Sequence, residues 1–311
     1  MKIFIYAGYP KTGNSFRLRE ILLKNENINV ISIYKSKELR KAIFSIINNS
    51  DIEFKKKYKI YKKILIQSLD NKKVNILFEE SIVLNSIKFK KNNHTMLVFK
   101  RFFKLLNNKN NQIKAILYIR NHVDMLHSLV NQFENRWKKS YNFNVKKILD
   151  NINNKKYSKI FDNLHYISNY KEIIRLNKKK NTRLVLYEDF KKNNLKHIKD
   201  EYKFLGLNVK MNNNFFKTKF NNDILINSTK DLEKKRSLRN KLKFKNLFNI
   251  LKITRYFEYF FYIKDHFDKK KYFEKKYFEK NSKTIKEKYR KDLLSIKNKK
   301  IIKKFKDYNY L

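Results

Sequence analysis

The stretch that decides the fold is residues 3–15, which read IFIYAGYPKTGNS. Its first part, Ile3–Ala7, is a compact run of β-branched and aromatic residues, which predicts a buried strand. Its second part contains two of the three glycines of the chain and its only proline. Because the chain is so poor in both residues, this cluster predicts a specific turn directly after the strand.

Gly8 and Gly13 have the spacing of a phosphate-binding loop, G-x-x-x-x-G-K-[ST]. Such a loop curls backbone N–H groups around an anion at the N-terminus of a helix. Asn14 stands where a nucleoside triphosphatase has its lysine, and Lys11 lies three positions earlier. A nucleotide kinase or ATPase is therefore disfavoured, because its lysine contacts the β and γ phosphates. Taken alone, the loop is equally compatible with an ordinary junction between a strand and a helix.

The rest of the chain alternates strand-like and helix-like segments. Apolar runs predict further strands at Val74–Phe78, Ala115–Ile119, Leu184–Tyr187 and, more weakly, Val30–Ile33. Helical spacing of apolar residues is found in Phe16–Lys24, Lys37–Ile47, Phe54–Leu69, Met125–Trp137 and Tyr157–Leu176. This alternation predicts an α/β domain in three layers, with a central parallel sheet flanked by helices.

The strand signal stops after about residue 207. We therefore predict an α/β core over residues 1–210 and a Lys-rich helical region over residues 211–311 that packs on the core.

Polar residues follow each predicted strand. Glu79 and Glu80 come after the strand at residues 74–78, and Arg120 follows the strand at residues 115–119. Glu188 and Asp189 follow the last strand, where a role in capping the next helix is favoured over catalysis. Since ligands bind beyond the carboxyl ends of parallel strands, the arginine, the carboxylates and the loop are expected at one edge of the sheet.

The charge of the chain is strongly positive but evenly spread. It has 76 Lys and Arg against 28 Asp and Glu, a net charge of +48, divided as +29 over residues 1–210 and +19 over residues 211–311. This distribution predicts a general affinity for polyanions. A nucleic-acid-binding protein remains an alternative, but no zinc finger, recognition helix or aromatic-platform motif supports it, so no specific nucleic acid is expected. The absence of Cys excludes disulfides, thiol catalysis and Cys-ligated zinc.

Three motifs together resemble a known family. Residues 10–15, PKTGNS, resemble the P-K-[ST]-G-T-[ST] loop of sulfotransferases that use 3′-phosphoadenosine 5′-phosphosulfate (PAPS). Residues 120–132, RNHVDMLHSLVNQ, resemble their R-N-P-x-D-x-x-x-S-x-Y-x-Q signature. Residues 187–190, YEDF, resemble their third signature, Y-E-D-[LF]. The order and approximate separation also match. Three positions depart from the signatures: Asn14 for Thr, His122 for Pro and Val130 for Tyr.

The resemblance implies a P-loop-type fold and a site for PAPS as co-substrate, with no metal required. Backbone N–H groups of residues 12–15 can cradle the 5′-phosphate at the helix N-terminus. Lys11 can neutralise charge on the bridging oxygen, which makes it a catalytic candidate. Arg120 and Ser128 are implied to hold the 3′-phosphate, and an arginine suits this role because its planar fork pairs with two phosphate oxygens. The cofactor-binding candidates are Lys11, Thr12, Gly13, Asn14, Ser15, Arg120 and Ser128.

The acceptor, expected to be a carbohydrate or glycolipid with a free hydroxyl or amine, needs a base. Glu80 is the candidate, since carbohydrate-directed members of the family often have a glutamate at about this point. His94 and His127 are alternatives, and Glu79 and Glu80 are equally compatible with a solvated acidic pair.

The sequence predicts a cytoplasmic location, because the first apolar run is too short for a signal peptide and no run is long enough to span a membrane. The most apolar segment, Leu247–Ile263, is interrupted by Lys252, Arg255 and Glu258. Two interpretations stay open for it: an amphipathic helix packed on the domain, or a peripheral contact with the anionic inner face of the membrane.

Overall fold

The structure is a computed structural model that describes residues 1–9, 12–14, 17–79, 82, 95–128, 164–207 and 275–311. The chain divides into two compact units. The first consists of Met1–Asn194 and Phe273–Leu311, and the second is Leu195–Tyr272. Within the second unit, the description covers residues 195–207, which belong mostly to one helix. The domain boundary placed at residue 210 from sequence stays a prediction.

Five parallel strands form the sheet of the first unit. In space they follow the order β2-β3-β1-β4-β5. Their bounds are β1 (Lys2–Gly8), β2 (Ile28–Ile31), β3 (Val74–Phe78), β4 (Gln112–Ile119) and β5 (Thr182–Leu186). The predicted parallel α/β fold is therefore confirmed.

Helices and helical turns connect and flank these strands. Residues 122–128 are helical, Arg17–Leu22 form a turn of π-helix, and Lys179–Asn181 form a turn of 3-10 helix. The α-helices are α1 (Lys37–Asn48), α2 (Asp51–Lys56), α3 (Tyr58–Gln67), α4 (Thr95–Leu106), α5 (Tyr166–Asn177), α6 (Tyr187–Lys192), α7 (Asn194–Leu205), α8 (Lys275–Leu294) and α9 (Lys299–Asp307). In the described part of the chain, no helix is both long and apolar enough to cross a bilayer.

The strands coincide with the apolar runs because both faces of the sheet are covered. All five residues of β3 are buried, as are the last six of β1. Strands buried on both faces are continuous apolar runs, which is how the sequence identified them. The structure corrects two predicted strands. The strand predicted at Val30–Ile33 is Ile28–Ile31, and the strand predicted at Leu184–Tyr187 is Thr182–Leu186, because Tyr187 is the first residue of α6.

Three predicted helices differ in the structure. In the helix predicted at Tyr157–Leu176, Leu164 and His165 are not helical, and α5 begins at Tyr166. The segment Phe54–Leu69 is not one helix, because the chain breaks at Lys57 between α2 and α3. A capping box formed by Ser50 and Glu53 begins α2 three residues before the predicted start. The segment predicted as helical from residue 16 contains a π-helical turn, in which Leu23 N donates to the carbonyl of Leu18 at 3.0 Å. Such turns often occur at functional sites.

The strand order places a crevice beside β1. Strands β3 and β2 lie on one side of β1, and strands β4 and β5 lie on the other side. Where the order reverses in this way, the carboxyl ends of the two central strands leave room for a ligand. Here Gly8 ends β1, and it is paired with Tyr118, the next-to-last residue of β4.

The C-terminal segment packs against the sheet unit through α5. The carboxylate of Asp292 accepts hydrogen bonds from the backbone N–H groups of Ile167 and Ser168, each at 2.9 Å. These are first-turn N–H groups of α5, which have no partner inside the helix. A residue 125 positions away thus supplies the N-terminal cap and a favourable charge for the helix dipole.

The opposite end of the sheet contains a buried polar network. Nδ2 of Asn29 donates to Oδ1 of Asn75 at 2.7 Å and to the Ser68 carbonyl at 2.8 Å. Asn75 also accepts from the Asp70 N–H and donates to the Asp70 carbonyl, both at 2.8 Å. Nζ of Lys35 donates to Oδ1 of Asn29 at 2.5 Å. The polar groups at the amino ends of β2 and β3 thus satisfy one another.

Candidate active site

The loop after β1 is held by buried side chains that bind its carbonyl groups. The Thr12 hydroxyl donates to the Tyr9 carbonyl at 2.6 Å and lies 3.0 Å from Oδ1 of Asn14. Nδ2 of Asn14 donates to the same Tyr9 carbonyl at 3.1 Å and lies 3.4 Å from that of Gly8. Both side chains are almost wholly buried, so Thr12 and Asn14 act on the loop from its inner side. Asn14, which departs from the family signature, thus stabilises the turn.

Arg17 also binds the loop from inside. Its Nη1 donates to the Thr12 carbonyl, and its backbone N donates to the Gly13 carbonyl at 3.0 Å. Its guanidinium carbon lies 3.9 Å from the ring centroids of both Tyr118 and Phe190. The side chain is fully buried, and an arginine keeps its positive charge under these conditions. A cation therefore lies directly beneath the loop.

Both loop glycines are required by the geometry. A Cβ at Gly8 would lie 2.4 Å from Oδ1 of Asn14, which is well inside van der Waals contact. Gly13 has φ = +79°, a conformation that residues with a Cβ rarely adopt. The two clustered glycines therefore permit the tight turn between β1 and the next helical segment.

Arg120 lies at the same edge of the sheet as the loop. It directly follows β4, and its guanidinium carbon is 5.0 Å from the centroid of the Tyr187 ring. The same tyrosine contacts the loop, since a Cβ at Gly13 would lie 3.5 Å from Cε2 of Tyr187. Tyr187 is therefore close both to the loop and to the arginine that the resemblance assigns to the 3′-phosphate.

The segment after Arg120 is fixed by the C-terminal residues. Nδ2 of Asn121 donates to the carbonyls of Tyr308 and Asn309, at 3.1 and 2.6 Å, and its Oδ1 caps the helix at residues 122–128. Its backbone N–H donates to Oε1 of Glu188 at 2.9 Å, and the Tyr310 hydroxyl donates to Oε2 at 2.6 Å. Burial raises the pKa of Glu188, while the Tyr310 hydrogen bond opposes this shift.

Glu188 and Asp189 are thus structural in the described residues. Asp189 accepts a hydrogen bond from the Tyr308 hydroxyl at 2.7 Å and pairs with Lys304. Burial of the Tyr308 hydroxyl, together with its hydrogen bond to the Asp189 carboxylate, raises the pKa of Tyr308 to about 12. Both carboxylates lie in the first turn of α6, as the helix dipole favours.

His122 occupies an aromatic stack behind the site. Its ring lies between those of Tyr166, at 4.0 Å and 14°, and Tyr289, at 4.2 Å and 5°. Its Nε2 is 2.9 Å from the Leu164 carbonyl. Burial lowers the pKa of His122 to about 3, so the ring is neutral at physiological pH. In place of the proline of the signature, the chain has an aromatic residue that packs α5 and α8 against the start of this helix.

The structure brings together part of the predicted site. Thr12, Gly13 and Asn14 lie in the loop, Arg120 lies beside it through Tyr187, and Ser128 is in the second turn of the helix at residues 122–128. Lys11, Ser15, Glu80 and the alternative base His94 lie outside the described residues, as do Val130 and Leu247–Ile263. The other alternative base, His127, is half-buried, and burial lowers its pKa.

Three residues at this edge had no role assigned from the sequence: Arg17, Asn121 and Tyr187. Each lies within or next to a family motif, and this position was the only signal available. Their contacts join residues far apart in the chain, which local sequence patterns do not reveal.

Comparisons with known proteins agree with this architecture. Residues 2–292 match the Sulfotransferase domain family. Since the match covers nearly the whole chain, the protein belongs to this family. It is therefore a sulfotransferase, and dependence on PAPS is typical of its family. Among curated proteins, there is no match to the sequence.

Several solved structures are similar to the chain. One is a sulfotransferase from Alicyclobacillus acidocaldarius, with 14% identity over 69% of this chain and 88% of that one and a TM-score of 0.46. Mouse sulfotransferase SULT7A1 complexed with PAP has 19% identity over 68% and 60% of the chains and a TM-score of 0.39. The sulfotransferase domain from the curacin biosynthetic pathway has 12% identity over 67% and 74%, with a TM-score of 0.37. At these scores, the assignment rests on the family match.

Proposed function

We propose that the protein transfers a sulfuryl group from PAPS to a hydroxyl or amine group of a carbohydrate or glycolipid. The observation that carries this proposal is that the loop and Arg120 both lie close to Tyr187. A nucleotide with phosphates at both its 5′ and 3′ positions suits this pair, because each phosphate meets its own set of donors.

The loop fits a 5′-phosphate in its chemistry. Its buried side chains bind the carbonyls of Tyr9 and Thr12, and Gly13 takes the positive φ that a phosphate-binding turn favours. Lys11 and the hydroxyl of Ser15 would complete this set of donors, as the family resemblance implies. Ser128 would assist Arg120 at the 3′-phosphate.

PAPS supplies the activated sulfuryl group. The acceptor oxygen or nitrogen forms a bond to sulfur while the bond from sulfur to the bridging oxygen breaks, and the acceptor's proton passes to a base. Lys11 is proposed to offset the negative charge that develops on the bridging oxygen. Glu80 is proposed as the base, because in the sequence it comes two residues after Phe78, which ends β3, and ligands bind beyond the carboxyl ends of parallel strands.

The acceptor is proposed to be anionic or membrane-associated. Helix α9 has five lysines among its nine residues, and the chain as a whole has a net charge of +48. Such a surface favours an acidic glycan or the head group of a glycolipid at the inner face of a membrane.

An acceptor screen with PAPS tests the proposal. The purified full chain is incubated with PAPS and with neutral glycans, acidic glycans or glycolipid vesicles, and release of adenosine 3′,5′-bisphosphate (PAP) is measured. We expect acceptor-dependent release of PAP that Glu80→Gln reduces by about 100-fold or more. Glu53→Gln, which changes a glutamate of a helix cap, is the matched control. Transfer only to a small phenol or to a protein tyrosine would contradict the proposed acceptor class.

A further inference from the structure

We infer that Arg17 is a positioning residue of the anion site: it orients the loop's backbone toward the nucleotide and places a positive charge beneath the 5′-phosphate. This inference rests on the proposed function, since it concerns the same loop. Four observations carry it: complete burial, contact with two aromatic rings, a hydrogen bond to the loop and immediate contact with Gly13.

The hydrogen bond fixes the direction of one peptide group. Arg17 draws the carbonyl of Thr12 toward the buried side of the loop. In a trans peptide the following N–H points the opposite way, and the described part of the chain contains no cis peptide. The N–H of Gly13 is therefore directed away from Arg17, toward the face on which an anion would bind.

The position of the guanidinium is fixed by its neighbours. The rings of Tyr118, from β4, and Phe190, from α6, each lie 3.9 Å from the guanidinium carbon. A cation over an aromatic face is attracted by the electrons of the ring, more strongly when water is excluded. The guanidinium of Arg17 is thereby held against two elements of the sheet unit.

The buried charge acts at short range. If Gly13 had a Cβ atom, that atom would lie 3.3 Å from Nη1 of Arg17, so the cation lies close to the backbone of the turn. Charges interact more strongly in the interior than in water, because the effective dielectric constant is lower. The positive charge of Arg17 therefore adds to the field of the helix N-terminus and favours a dianionic 5′-phosphate.

Arg101 is a matched control that distinguishes a role at the anion site from a role in packing alone. Arg101 is also buried, with a guanidinium 4.8 Å from the Phe54 ring. It donates to the carbonyls of Ile46 and Asn49 at 2.7 and 2.9 Å and pairs with Asp51 at 2.7 Å. Arg101 thus joins helices α1, α2 and α4, and none of its described contacts is with the loop.

The test measures PAP binding to the full chain by calorimetry and by thermal shift in four variants. We expect Arg17→Met to raise the Kd for PAP about 30-fold, because both the hydrogen bond and the charge are lost. Arg17→Lys, which keeps the charge, and Arg17→Gln, which keeps a donor, are expected to raise it by about three- to tenfold. Arg101→Met is expected to lower the melting temperature while leaving the Kd within about twofold of wild type.

The outcomes are distinguishable. Wild-type binding of PAP combined with wild-type affinity in Arg17→Met would overturn the inference and leave the proposed function standing. Equal losses of affinity in Arg17→Met and Arg101→Met would also overturn it, because the effect would then follow general destabilisation. If Arg17→Met does not fold, the Lys and Gln variants decide the matter by the same comparison. No binding of PAP by the wild type would overturn the proposed function itself.

Discussion

The two ends of the parallel sheet contain the same kinds of buried polar side chain and use them differently. At the amino end, Asn29 and Asn75 bind each other, and their remaining groups bind nearby backbone and the ammonium group of Lys35. At the carboxyl end, Thr12, Asn14 and Arg17 bind the carbonyls of the loop. The first arrangement is closed on itself, whereas the second orients the backbone of the loop that we propose to bind the nucleotide. Burial of polar groups alone therefore does not distinguish the two ends; the difference lies in which groups they bind.

The largest expected effect is at the carboxyl end. Arg120→Ala is expected to weaken PAP binding about 100-fold, or about 2.7 kcal/mol, because the proposed bidentate contact with the 3′-phosphate would be lost. Calorimetric titration of PAP into both proteins measures the change. Arg175→Ala, which removes an exposed arginine paired with Glu172, is the control and should bind like wild type. Unchanged affinity in Arg120→Ala would place the 3′-phosphate elsewhere.

The next effect concerns the amino end. Asn75→Ala is expected to lower the free energy of unfolding by about 2 kcal/mol, because the buried Asn29 amide and the Asp70 N–H lose their partner. Urea unfolding measures this loss. The Kd for PAP should not change in the folded variant. A variant of normal stability with weakened PAP binding would reverse the contrast between the two ends.

The aromatic stack behind the site is expected to respond to acid. Burial lowers the pKa of His122 to about 3, so the unfolded chain binds a proton near pH 6.5 before the folded chain does. The stability that this neutral ring contributes is complete above pH 6.5 and is lost as the pH falls toward 3. At pH 5.5 the loss is about 1.4 kcal/mol.

His122→Phe keeps an aromatic ring and removes the titration. The difference in unfolding free energy between wild type and this variant should therefore shift by about 1.4 kcal/mol in favour of the variant between pH 7.5 and pH 5.5. Urea unfolding at both values measures it. Parallel pH dependence of the two proteins would show that His122 does not control this stability.

The smallest effect tests the C-terminal contact with the site. Tyr310→Phe removes one hydrogen bond to Glu188 and is expected to cost about 1 kcal/mol of unfolding free energy. Tyr58→Phe, whose hydroxyl binds the Lys104 carbonyl at an exposed position, is the control and should cost less. Equal costs in the two variants would mean that the C-terminal residues contribute little to holding Asn121 and Glu188.

The sequence predicted the sheet well because its signal is local. A strand covered on both faces is mostly apolar, and the bounds of Val74–Phe78 were predicted correctly although Asn75 interrupts the apolar run. The loop was also visible in the sequence, since tight turns require glycine at Gly8 and Gly13. The prediction of a single helix over Phe54–Leu69 was wrong, because the helix is interrupted at Lys57 while the apolar periodicity continues across the interruption.

The long-range contacts that hold the candidate site in place could not be predicted from local sequence patterns. Asn121 binds residues 187 and 188 positions away, and Asp292 caps a helix 125 positions earlier. Polar side chains at these positions are compatible with many partners, and only the packing of the chain selects one. Arg17 similarly looked like one of many basic residues until its contacts with Tyr118 and Phe190 were known.

Binding of PAP against adenosine 5′-monophosphate to the wild-type chain tests the central claim most directly. The two ligands differ only by the 3′-phosphate, so calorimetric titration at one salt concentration isolates the contribution of the Arg120 side of the site. We predict that PAP binds at least about 100-fold more tightly, without added Mg²⁺. Equal affinity for the two nucleotides, or tighter binding of ATP with Mg²⁺, would contradict a site built for a 3′-phosphorylated nucleotide.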